Sequence, residues 1–320
     1  MQAMKLAVAL HRELETDLSH QVDVYAAIER LGIAIAFLPF TNLSGAYLPP
    51  AERTGGLTGI TINSRHPRSR QRFSAAHELA HYLRDGIPME DVQTEFFPRA
   101  QGAAGEREFV AEAFASWFLM PRQLVMRYVK QLEIRKNPAP EQVYSLSLAF
   151  GTSYSATANH LVGLGILDVR QFRRLSEIAP KWIKSQLAIH GPTDSWGDVW
   201  RIDRRGDAEQ VTPRPGDEIV VALEEIPSTG YIWQLARPPR GMSLLDSTFE
   251  LPAGTDANSE EVFGAAGTRF VVLRAEEPGR ESLELIKKHP WEPHGEVVDR
   301  FRLDILIQTR QEGFVTAATG

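Results

Sequence analysis

Phe73-Ser74-Ala75-Ala76-His77-Glu78-Leu79-Ala80-His81-Tyr82-Leu83 is a run of helix formers carrying an apolar stripe. It predicts a helix from about Gln71 to Arg84, closed near Gly86 and Pro88. His77 and His81 are four residues apart, so they lie one turn apart on the same face. Two imidazoles so placed reach one tetrahedral ion from one side. Glu78 follows the first imidazole and faces the open coordination position, where a carboxylate serves as a general base toward water. Burying such a helix buries both histidines, and buried imidazoles need partners.

A tetrahedral site needs a third protein ligand, and the chain has no cysteine to offer. The next strong helix, from about Gly105 to Met120 with Pro121 at its end, supplies Glu108-Phe109-Val110-Ala111-Glu112. Its two glutamates are again four apart. Val110, Ala113, Phe114, Trp117 and Phe118 make the rest of that helix apolar enough to bury, so the carboxylates need compensating charge. Glu108 is read as the metal ligand and Glu112 as the acceptor that orients a ligand imidazole. The residues alone leave the reverse assignment open. One zinc ion per chain is the expected cofactor.

Arg72–Leu83, followed by Glu108-Phe109-Val110-Ala111-Glu112-Ala113-Phe114-Ala115 and Phe118-Leu119-Met120-Pro121, resembles the ImmA/IrrE metallopeptidases. The family's glutamate ligand matches Glu108. Its Asn or Asp four residues later is Glu112 in this chain, a longer side chain. The resemblance covers about residues 5–175. It implies a compact α+β zinc peptidase that cleaves a protein partner, typically a helix-turn-helix transcriptional repressor.

Outward from the histidines, Ile33–Leu38 and Thr58–Asn63 read as strands, and Thr41–Gly56 as a loop or hairpin rich in Gly, Pro and Asn. Residues 1–30 read as helix. Val143–Ser153 and Ala156–Ile166 read as a helix, a glycine turn and a second helix, the outline of a helix-turn-helix. Arg65, Arg68, Arg70 and Arg72 read as a solvated stretch ahead of the histidine helix. No oxyanion-stabilising residue is singled out; Tyr82, His66 and His160 are the candidates, with His160 read as structural.

The texture changes near residue 191, where Gly191-Pro192-Thr193-Asp194 ends a linker. Short alternating runs follow at Glu218–Leu223, Tyr231–Leu235, Thr268–Arg274, Ser282–Ile286 and Val297–Gln308, the signature of an all-β sandwich. Ile226-Pro227-Ser228-Thr229-Gly230-Tyr231-Ile232-Trp233, Gly264-Ala265-Ala266-Gly267 and His289-Pro290-Trp291-Glu292 resemble, in order and spacing, the three motifs of chagasin-like inhibitors of papain-type cysteine peptidases. The chain departs from that pattern at Ile226, Ser228, Ala266 and His289. The resemblance implies an immunoglobulin-like sandwich whose loops meet at one end, with Thr229, Gly230, Tyr231, Gly264, Gly267, Pro290 and Trp291 facing a partner.

The expected organisation is a metallopeptidase domain at 1–176, a linker at 177–196, a β-sandwich at 197–312 and a tail at 313–320. A net charge of -6 argues against a broad footprint for nucleic acid or anionic membrane, so direct nucleic-acid binding is not expected. No apolar run approaches the roughly 20 residues a membrane span requires. Charged residues follow Met1–Ala9 at once, so no secretory signal is expected and a cytoplasmic protein is. The expected function is zinc-dependent cleavage of a specific protein partner, with the β-sandwich recruiting that partner or regulating the site. The alternatives are a non-catalytic regulator, or a cysteine peptidase inhibitor acting through loops 226–233, 264–267 and 289–292.

Overall fold

A computed structural model of the chain describes residues 2–50, 56–84, 89–92, 103–192, 194, 196–252, 264–292 and 294–315. Two units partition the chain: residues 1–177 with 310–320, and residues 178–309.

The first unit begins with α1 (Gln2–Glu13) and α2 (Val24–Arg30). The single helix expected over residues 1–30 is therefore broken. Glu15 takes a left-handed backbone (φ 43°), and Asp23 restarts the helix by accepting the N–H groups of Tyr25 and Ala26 at 3.1 Å. There follow β1 (Ala34–Leu38), β2 (Leu43–Leu48), β3 (Gly59–Asn63), α3 (Arg68–Arg84), β4 (Met89–Val92) and α4 (Ala103–Leu119). Strands β1 and β3 run parallel, while β2 is antiparallel to both β3 and β4. Ile35, Phe37, Ile60 and Ile62 give the sheet its apolar interior. Helix α3 packs against β2, β3 and α4.

The remaining helices are α5 (Arg122–Gln131), α6 (Pro140–Phe150), α7 (Tyr154–Gly163) and α8 (Val169–Ser176). Gly151, with φ 62°, closes α6 in the left-handed conformation that glycine adopts freely. The fully buried Arg72 of α3 donates to the carbonyls of Val22, Phe150 and Gly151 at 2.6, 3.4 and 3.2 Å. A Cβ on Gly151 would stand 2.9 Å from Arg72 Nε and 2.4 Å from Gln21 Nε2. The α6–α7 turn is thus fastened to the histidine helix.

In the second unit, α9 (Pro180–Leu187) occupies part of the stretch read as linker. Two four-stranded sheets follow. One has the order β5 (Val199–Asp203), β7 (Glu218–Glu225), β10 (Gly267–Ala275), β9 (Met242–Glu250). The other has the order β6 (Glu209–Val211), β12 (Asp299–Ile307), β11 (Gly279–Lys288), β8 (Ile232–Leu235). On β12 the buried residues Phe301, Leu303, Ile305 and Ile307 alternate with Arg302, Asp304 and Leu306, as a sheet with one buried face requires.

The chain then returns to the first unit. Residues read as the start of a tail form β13 (Gly313–Val315), antiparallel to β1, and complete a five-stranded sheet in the order β13-β1-β3-β2-β4. Among the described residues no helix is long and apolar enough to cross a membrane.

Candidate metal centre

Helix α3 contains no β-branched residue, glycine or proline, and Pro67 precedes its first turn. Ala75, Ala76 and Ala80 let it approach its neighbours closely, so His77, Glu78 and His81 are all buried. Of the residues expected to bury α4, Phe114 and Phe118 do so, joined by Ala111 and Ala115, while Val110, Ala113 and Trp117 are half-buried. That packing brings Glu108 over α3.

His77 Nε2 lies 3.1 Å from Glu108 Oε2, and His81 Nε2 lies 3.5 Å from Glu108 Oε1. The two Nε2 atoms are 3.1 Å apart. A tetrahedral ion with ligand bonds near 2.0–2.1 Å has ligand–ligand edges of about 3.3 Å, so these three atoms fit the corners around one zinc. Among the described residues this trio forms the group able to hold a metal, and Glu112 is not in it. The hydrogen bond from His77 holds the Glu108 carboxyl below the usual carboxylate range; burial opposes this, and the charges of His77 and His81 add to it. The Glu108 side chain is one-third exposed, while both imidazoles are buried.

Glu78 is fully buried beside β2. A Cβ on Gly45 would lie 3.1 Å from Glu78 Cγ, 3.2 Å from Glu78 Oε1 and 3.1 Å from the Thr61 carbonyl. Glycine at 45 therefore makes room for the carboxylate. The hairpin allowed over Thr41–Gly56 is present in β2, which pairs antiparallel with β3. The Tyr82 ring meets Tyr47 edge-on at 5.9 Å. His160 bonds the Met120 carbonyl at 2.9 Å and stands edge-on to Trp117, packed at the end of α4. Burial, with a lesser push from Arg70, lowers His66 to about 4.

In the second unit Gly230, Tyr231 and Trp291 meet around His289. Its ring stacks on Tyr231 at 4.0 Å and on Trp291 at 4.7 Å, and its Nδ1 lies 3.1 Å from the Gly230 carbonyl. Thr229 Oγ1 donates to the Ile226 carbonyl at 2.7 Å and closes the turn that places Gly230 at φ 77°. A Cβ on Gly230 would stand 2.8 Å from the Trp291 ring. A Cβ on Gly264 would lie 4.0 Å from Ser228 Oγ. Gly267 opens β10 against Phe249 and Glu250, while Pro290 and Trp291 are exposed. Behind the loops, the buried Glu225 accepts the Trp233 N–H at 2.7 Å and pairs with Arg269 at 2.6 Å. Sequence reading missed both partners of this pair.

Residues 28–161 match the family model of the IrrE N-terminal-like domain, Peptidase_M78. The match lies within the first unit. It starts inside α2 and ends inside α7, so all three metal-centre residues and Glu78 fall within the matched segment, while α1, α8 and β13 lie outside it. Helix α1 still serves the segment: His11 stacks on Phe118 of α4 at 4.5 Å and bonds its carbonyl at 3.0 Å.

Residues 212–305 match the chagasin family of peptidase inhibitors, I42. Among solved structures, a cysteine protease inhibitor from Entamoeba histolytica is similar at 20% identity and a TM-score of 0.30, over 35% of this chain and 98% of that one. Amebosin is similar at 21% identity and a TM-score of 0.28, over 35% of this chain and 100% of that one. No curated protein matches the chain.

Proposed function

We propose that the first unit is a zinc-dependent endopeptidase that cleaves a specific protein partner. The observation carrying this reading is the trio His77, His81 and Glu108 at tetrahedral spacing, with Glu78 fully buried one residue from the first imidazole. A purely structural metal site has no use for a carboxylate there. Zinc held by the trio would supply water activation and carbonyl polarisation. Glu78 takes the proton of the attacking water and returns it to the leaving amine. Glu112 orients one of the ligand imidazoles. The proposed substrate is a helix-turn-helix transcriptional repressor, which places the reaction in the cytoplasm. The second unit is proposed as an immunoglobulin-like module that holds the partner near the site, raising its local concentration.

The test compares wild type with Glu78→Gln, both reconstituted with zinc, by labelling new protein N-termini in a treated lysate. The reading requires discrete new termini from wild type alone, with zinc content equal in both. Equal cleavage by the variant would remove Glu78 from the mechanism.

The ladder Tyr231–His289–Trp291 favours a second reading for the second unit, inhibition of a separate papain-type cysteine peptidase. An exposed tryptophan at a loop end is a suitable anchor for a peptidase cleft.

A further inference from the structure

Gln71 lies on α3 with its side chain wholly buried. Its Oε1 accepts the N–H of Gln311 at 2.9 Å, and its Nε2 donates to the Gln311 carbonyl at 2.9 Å. One side-chain amide thus meets both main-chain groups of one residue, as a neighbouring strand would. The same Nε2 lies 3.3 Å from the carbonyls of Asn63 and Ser64, which fixes its aim. Two residues further on, β13 pairs with β1 through Gly313, Phe314 and Val315.

Phe314 adds little apolar burial to the segment. Glu312, Gly313 and Phe314 are exposed, Phe314 to 76%. It is held by main-chain hydrogen bonds to one sheet edge and to one glutamine. Such a segment opens far more readily than a core strand. When it leaves, the buried amide of Gln71 and the edge of β1 both lose partners, and any extended peptide restores them.

We infer that the β1 edge and Gln71 form a peptide-binding groove that reads main-chain groups, with the chain's own residues 311–315 as its resident, exchangeable ligand. This goes beyond the proposed peptidase chemistry and does not depend on it. The groove is occupied by residues 311–315, which belong to the first unit themselves. Displacement of the segment uncovers an amide on the helix that carries His77 and His81.

The test uses the full chain with a protease cleavage site inserted between Thr309 and Arg310. After cutting, a fluorescein-labelled peptide of residues 309–320 is titrated in and its anisotropy followed. The inference requires saturable binding to the cut chain and at least about tenfold weaker binding to the uncut chain, whose own segment competes from within. The same peptide carrying Gln311→Pro lacks the N–H that Gln71 accepts and must bind at least about tenfold more weakly. No binding to the cut chain, or equal binding of the two peptides, overturns the inference. Loss of the circular dichroism spectrum on cutting also overturns it, because the segment would then be a fixed part of the fold.

Discussion

Gly45 of β2 and Glu78 of α3 share one small volume: the position of a Cβ at residue 45 is 3.1 Å from Glu78 Cγ and equally close to the Thr61 carbonyl. The backbone oxygen cannot yield, so a methyl group there presses on the carboxylate. Gly45→Ala is expected to displace Glu78 and lower turnover by about tenfold or more, since small misplacements of a catalytic group are costly. Zinc content should stay near that of wild type, because the metal-centre trio lies on α3 and α4. Elemental analysis beside a cleavage assay checks this; an unchanged rate removes the steric link.

The two glutamates of α4 are separable by metal content. Glu108→Ala removes an oxygen 3.1 Å from His77 Nε2 and is expected to abolish stable zinc binding. Glu112→Ala should keep most of the zinc with a weaker affinity, by about 10–100-fold, as loss of an orienting partner does. Elemental analysis after gel filtration, followed by a chelator titration, measures both. The opposite pattern would exchange the two roles.

The histidine helix was legible because every signal on it agrees: residue type, spacing, the proline ahead of it and the lack of β-branching. Strands β7 and β10 were legible in part because each carries a run of buried apolar residues, and β12 because its buried residues alternate. Strand β9 has no buried residue at all, so it offers no period to read. Strand β2 was legible only as one arm of a hairpin over Thr41–Gly56, which its antiparallel pairing with β3 bears out, and β13 was hidden by the exposed Phe314 and a partner near the other end of the chain. The parallel pairings β5–β7 and β6–β12 depend on long-range closure that no local pattern announces. In the candidate site, ligand spacing was legible, whereas Gly45, Gln71 and Arg269 act through contacts between distant elements.

The pair Glu225–Arg269 sits behind the loops of the second unit, with Glu225 fully buried and Arg269 mostly so. Arg269→Ala leaves a buried carboxylate without its counter-ion, which costs about 3–5 kcal/mol. The same carboxylate holds the Trp233 N–H, so the turn at 226–231 should loosen. Thermal unfolding should shift down, and hydrogen exchange should accelerate at Ile232–Leu235 before it does in β12. An unchanged melting temperature would show the pair to be energetically neutral.

Trp291 is 65% exposed and rests on His289 and Gly230, so the fold gains little from it. Trp291→Ala should leave the unfolding free energy within about 0.5 kcal/mol of wild type, as urea midpoints would show. If the second unit inhibits a papain-type peptidase, the same change should weaken inhibition by about 30-fold or more, the scale of a hot-spot residue. Inhibition unaffected by the change would move the contact off this loop.

His160 gives the first unit a distinct acid limit. Burial lowers it to about 4, against the favourable contact with the Met120 carbonyl. Its pKa in the unfolded chain is near 6.5. Above that value both states hold it neutral and the native packing keeps its full advantage. As the pH falls from about 6.5 toward 4 the unfolded chain takes up the proton and the folded one does not, so stability drops by up to about 1.4 kcal/mol per unit. Below about 4 both states are protonated and this contribution levels off. Urea midpoints between pH 7.5 and 4.5 should therefore fall for wild type and fall less steeply for His160→Gln, whose amide still donates to Met120 but does not titrate. Using the difference between the two slopes cancels the other titrating groups, the metal-centre residues included. Identical slopes would mean that the ring is solvated enough to protonate in place.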